Sequence, residues 1–153
     1  MAKSQYRLLV PNGFADEIEP LRSLGPSYET SLLKQLEKMQ VDPHSAGDRY
    51  DCDALGDEYS GYLRKCDIKG RQGPKVFYII SNEQRAVFPF FITPMVRNKI
   101  DYRKLSIADR ANEIVDLIEL WPESASKLEV WIVRDGVKAT RNAADILEEY
   151  GRI

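Results

Sequence analysis

Between residues 62 and 93, three apolar runs follow one another with very little chain between them. Residues 62–68 read YLRKCDI and end at a Gly70–Pro74 turn. Residues 75–81 read KVFYIIS and end at Asn82-Glu83. Residues 86–93 read AVFPFFIT. Strands joined by such short turns form an antiparallel meander, and this fixes the middle of the fold before anything else is read. Pro89 interrupts the third run. It has no N–H for a ladder, so it predicts an edge position or a bulge.

The flanking segments supply layers for this sheet. Residues 5–10 (QYRLLV) predict a first strand, stopped by Pro11-Asn12-Gly13. Phe14, Ile18, Leu21 and Leu24 recur at helical spacing. After Gly25-Pro26, with Ser27 as the expected cap, so do Leu32, Leu33, Leu36 and Met39, up to Asp42-Pro43. Two helices across Gly-Pro predict a helical hairpin. Residues 46–60 are polar and acidic and read as a loop. Ser106 and Asp109 match a capping box before Ile107, Ala111, Ile114, Val115, Ile118 and Trp121, and Pro122 closes that helix. Residues 128–133 (LEVWIV) predict a further strand turning at Asp135-Gly136. Thr140 is the expected cap of a last helix through Ala143, Ile146, Leu147 and Tyr150. The predicted order is β-α-α-β-β-β-α-β-α.

Charge is distributed unevenly over this order. Residues 61–104 hold ten Lys/Arg against three acids, a balance of +7, while residues 1–60 carry −5 and residues 105–153 carry −4. A basic block between acidic arms points to a localised anion-binding face, with nucleic acid as the leading partner. At 153 residues, with 43% hydrophobic and 30% charged residues, the chain reads as one globular domain. No apolar run reaches the roughly 20 residues of a membrane span. The start Met-Ala-Lys-Ser-Gln lacks a signal-like stretch, so a cytoplasmic protein with no membrane partner is expected.

The residues that could carry chemistry sit mostly in the basic block. Strand alternation puts Tyr62, Arg64 and Cys66 on one face. Pairing can bring Arg64 near Lys75 or Tyr78, and Arg97 and Lys99 follow the third run. We expect Arg64, Lys75, Arg97 and Lys99 to share a face, with Tyr78 beside them. Arg and Lys stabilise the charge that develops on a phosphodiester under attack, and clustered cations lower the pKa of a neighbouring Tyr or Lys. Such a site needs no metal and no cofactor. The acids Asp48, Asp51, Asp53, Asp57 and Glu58 lack the spacing of a calcium loop. Cys52 and Cys66 lack partner histidines for a zinc site. Cys66 reads as a small core residue, and the single histidine, His44, as a solvent-exposed turn residue.

Taken together, LLKQLEKMQVDP, GYLRKCDI, KVFYIIS and AVFPFFITPMVRNKIDYRKLS before a helix resemble the RelE/ParE superfamily of toxin–antitoxin toxins, and more nearly its HigB-like branch. The resemblance covers residues 5–121. It implies an α+β fold: a small antiparallel sheet packed on the N-terminal helical hairpin, with a C-terminal helix. Residues 1–121 would be the toxin-type domain and residues 122–153 a β-α extension packed on it. It implies metal-independent cleavage of messenger RNA, commonly on the ribosome, by attack of a 2′-hydroxyl on its own phosphate, and a cognate antitoxin covering the basic surface. Carried over by position, Arg64, Lys75, Tyr78, Arg97 and Lys99 are the catalytic candidates. Lys65, Lys69, Arg71, Arg103 and Lys104 are RNA-binding candidates.

The chain is longer than usual members of that family, and its pI near 5.5 is lower. Two alternatives therefore stand beside the nuclease. One is a non-catalytic module on the same scaffold that binds RNA, DNA or protein. The other is a gyrase inhibitor of the ParE kind. With the β-α tail packed on the core, the acids of the last helix, Asp145, Glu148 and Glu149, are expected to approach the basic face and partly mask it.

Overall fold

The central runs pair as the meander their spacing demands, in a computed structural model that describes residues 6–50, 62–71, 73–93 and 106–145. β3 (Leu63–Asp67) lies antiparallel to β4 (Lys75–Ser81), and β4 to β5 (Ala86–Ile92). Pro89 is accommodated by a bulge. The β4–β5 register steps from Phe77↔Phe91 to Tyr78↔Pro89, so the proline sits in an interior strand without breaking the ladder.

β1 (Arg7–Pro11) completes the sheet beside β5, but parallel to it, with Arg7 opposite Ala86 and Leu8 opposite Val87. The expected all-antiparallel sheet is thus a mixed one. Its order is β2-β3-β4-β5-β1-β6-β7, with β2 (Asp48–Arg49), β6 (Leu128–Arg134) and β7 (Val137–Asn142). The central place of β1 in that order follows from its own composition. Leu8, Leu9 and Val10 are all buried, a continuous apolar run suited to a central strand covered on both faces.

Two helical layers provide that cover. α1 (Phe14–Leu24) and α2 (Pro26–Val41) form the expected hairpin. Phe14, Ile18, Leu21, Leu32, Leu36 and Met39 pack there against Leu8, Val10, Val76, Tyr78, Ile80 and Trp131. On the other face, α4 (Ile107–Glu119) sets Ile107, Ala111, Ile114 and Ile118 against Leu9, Leu63, Phe77, Ile79 and Phe88. Over the described residues the molecule is α+β, with a seven-stranded open sheet between helices. Among the described residues no helix is long and apolar enough to cross a membrane.

Local signals were less reliable than the apolar pattern. Ser106 takes a left-handed conformation (φ 55) and its side chain caps nothing, so the Ser106/Asp109 capping box does not form. Ser27 lies inside α2, which starts on Pro26 after Gly25. A short helix α3 (Pro43–Ala46) leads into the expected 46–60 loop, of which Asp48–Arg49 form β2 and residues 51–60 lie outside the described residues. Thr140 is not a helix cap. It sits in β7 opposite Trp131, and the strand reaches Asn142, whose side-chain oxygen accepts from the Ala144 N–H. The cause is the Asp135-Gly136 turn, with φ 53 and 78, a mirror-image turn whose twist matches a hairpin and carries the chain straight back along β6. Ile146, Leu147, Glu148, Glu149 and Tyr150 lie outside the described residues.

Candidate nucleic-acid interface

The β3–β4 hairpin carries five of the sequence-predicted cations, and its register decides where each one points. Lys65 pairs with Phe77, and Asp67 with Lys75. Phe77 belongs to the α4-side core, so Lys65, Asp67 and Lys75 share that face. Arg64 pairs with Tyr78, which belongs to the core under α1 and α2. Arg64 and Lys75 therefore point to opposite faces, and the expected common face of Arg64 and Lys75 is not formed. The two positions differ in parity along their paired strands.

Lys75 is largely buried at the hairpin end. Its ammonium donates to Asp67 Oδ1, and to the Arg71 carbonyl at 2.7 Å. Lys69 reaches the other way, donating to Ser27 Oγ, with its Nζ 4.8 Å from the centre of the Tyr28 ring. Arg71 is exposed in the turn between the strands. Lys65 Nζ lies 5.9 Å from the centre of the Tyr50 ring. Cations thus gather at the turn end of the hairpin. Thr93 is fastened there too. Its N–H donates to the Lys75 carbonyl at 2.8 Å and its Oγ1 accepts from the Lys75 N–H at 2.9 Å. Arg97, Lys99, Arg103 and Lys104 follow Thr93 in sequence and lie outside the described residues.

Two catalytic candidates are taken up by the fold. Tyr78 is fully buried, and its hydroxyl donates to the Pro43 carbonyl at 2.7 Å. Burial holds its pKa far above the ordinary phenol value, with the Cys66 side chain adding to the rise. Tyr78 is thus a core residue and not a group that moves protons. Arg64 donates to the Gly47 carbonyl at 2.9 Å. Gly47 itself has no room for a side chain, since a Cβ would stand 2.6 Å from the Lys65 carbonyl oxygen and 2.7 Å from the Tyr78 hydroxyl. Cys66 is buried in the same packing as expected. Desolvation pushes its thiol up to about 12, which leaves it inert.

The other end of the sheet holds a constellation that the sequence did not reveal. His44 is half-buried in α3 rather than exposed in a turn. Its ring stands edge-on to Tyr6 (centroids 6.5 Å apart) and to Tyr62 (5.8 Å). Asn82 Oδ1 accepts from the Tyr6 hydroxyl at 2.8 Å and lies 3.0 Å from His44 Nε2. A carbonyl oxygen only accepts, so Nε2 carries the proton in this arrangement. The Arg85 guanidinium lies over the Tyr6 ring at 4.3 Å. These residues come from the positions just before β1 and β3, from α3 and from the β4–β5 turn. No local spacing connects them, and only the parallel placement of β1 against β5 brings them together.

A cavity of about 720 Å³ lies elsewhere, between α2, α3 and the β6–β7 turn. Its charged lining mixes Lys34 and Lys38 with Glu37, Asp42 and Asp135, so it shows no preference for one sign of ligand. Among the described residues, no three His, Cys, Asp or Glu side chains gather as a metal site. No protein-family model, no curated protein and no solved structure matches the chain.

Proposed function

We propose that the protein binds RNA through the cations around the β3–β4 end of its sheet, as a toxin-type protein of the kind its sequence resembles. One observation supports this reading above others. The paired hydrogen bonds between Lys75 and Thr93 start the segment bearing Arg97, Lys99, Arg103 and Lys104 beside the hairpin bearing Lys65, Lys69 and Arg71. The chain therefore leaves β5 at the end of the sheet where that hairpin turns. Arg71 is exposed and suited to a bidentate phosphate contact, and Lys65 and Lys69 extend the positive field on either side. An acidic partner chain, the antitoxin of the resemblance, would compete for the same cations.

Binding is favoured over cleavage. Of the five residues the resemblance assigns to catalysis, Tyr78 is sealed in the core, and Arg64 is turned to the opposite face from Lys75. A test uses an end-labelled single-stranded RNA in EDTA at low salt. Anisotropy measures binding, and a denaturing gel reads the RNA afterwards. Intact RNA, bound by the wild type and at least ten-fold more weakly by Lys69→Ala/Arg71→Ala, is the expected result. Discrete products that vanish with Lys75→Ala would replace the binding reading with the nuclease. An unchanged affinity of the double variant would refute the proposed surface.

A further inference from the structure

We infer that the Tyr6–His44–Tyr62–Asn82–Arg85 constellation is a second RNA contact, one that takes the nucleoside part of a nucleotide rather than its backbone charge. This rests on the reading that the protein binds RNA, but its observations are separate. The group lies at the opposite end of β3 from the basic turn. Tyr62 precedes Leu63 at the start of the strand, and Asp67 ends it on the way to Lys69 and Arg71. A single strand laid along β3 would meet cations at one end and rings at the other.

Three features fit a nucleobase. First, Tyr6 and Tyr62 pack on the core and His44 stands edge-on to both rings, and all three are half-buried, so part of each surface stays in water. Aromatic rings and guanidinium planes held this way are the usual stacking surfaces for unpaired bases. Second, Arg85 offers such a plane, because it already lies against Tyr6 at 4.3 Å. Its backbone is fixed in the left-handed region (φ 52). Its N–H donates to the Asn82 carbonyl at 3.2 Å, and its carbonyl accepts from the Arg7 N–H at 2.8 Å. Third, Asn82 is oriented by two neighbours that both use its Oδ1. Its side-chain NH2 then has no partner among the described residues, and Asn82 is exposed. A fixed amide donor beside stacking surfaces reads a base carbonyl, which uracil, cytosine and guanine present and adenine does not.

His44 is the only histidine of the chain, so its imidazole gives an isolated pair of nitrogen-correlated NMR signals. The test titrates UMP, AMP and ribose 5-phosphate into the full chain and follows those signals. We expect UMP to shift them saturably, ribose 5-phosphate to leave them in place, and AMP to bind several-fold more weakly than UMP. Arg85→Ala should weaken UMP at least five-fold, and Asn82→Ala should erase the preference over AMP. An equal response to ribose 5-phosphate would overturn the proposal, since it would mark a simple anion effect. Silence of the His44 signals to UMP would also overturn it, even if RNA still binds at the basic end. A UMP response with no RNA binding at that end would instead keep this site and refute the reading of the hairpin.

Discussion

Tyr78 shows how a residue's chemistry is decided by what its one polar atom meets. The sequence places it on a strand among cations, where a tyrosine could donate or accept a proton. Instead its hydroxyl serves the Pro43 carbonyl inside the core, and burial keeps it protonated. Tyr78→Phe should therefore act on stability alone. It removes the donor and leaves a buried carbonyl unpaired, at a cost of about 1–3 kcal/mol. Urea unfolding of both proteins checks this, and RNA affinity should be unchanged. A variant of unaltered stability but impaired action on RNA would restore Tyr78 to the site. The burial of Cys66 was legible from its small apolar side chain in a strand run. The depth of Tyr78 was not, because it depends on Pro43, thirty-five residues earlier. His44 was misjudged for the same reason, since its neighbours Tyr6, Tyr62 and Asn82 lie far off in sequence.

Among elements, the apolar periods located α1, α2, α4 and the meander, and α4 buried the positions its spacing named except Trp121, which lies past its end and is half-buried. The tail went the other way. Residues 137–142 (VKATRN) have little apolar content and end in groups that suit a helix start. Six register pairs with β6 outweigh that local preference. One helix–sheet contact had no sequence signal. Gln40, near the end of α2, places its side-chain amide where a strand would otherwise pair. Its Nε2 donates to the Val133 carbonyl at 2.8 Å, and its Oε1 accepts from the Val133 N–H at 2.9 Å. Its own carbonyl accepts from the Tyr6 N–H at 2.8 Å. Gln40 thus fastens α2, β1 and β6 together. Gln40→Ala should cost about 2–4 kcal/mol, because both backbone groups of Val133 lose their partner in a buried place. Amide exchange at Val133 should accelerate with it. Normal exchange and normal stability would show that water or a shift of α2 replaces the clamp.

For the whole molecule, charge was legible in the sequence and its geometry only in part. Five of the ten cations of residues 61–104 lie on the β3–β4 hairpin, but strand parity splits Arg64 from Lys75, and no count of charges reveals that. The parallel β1–β5 pair was equally hidden, because nothing in a short apolar strand states its direction. It is nonetheless what sets the two ends of the sheet apart, one cationic and one aromatic. If backbone phosphates meet the cationic end, RNA binding must weaken steeply as salt rises. Each phosphate contact on a single strand contributes about −0.7 to the slope of log K against log salt. With three to five contacts, the wild type should show a slope of roughly −2 to −3.5, and Lys69→Ala/Arg71→Ala should flatten it by about 1.4. A slope near zero, or the same slope in wild type and variant, would contradict the account.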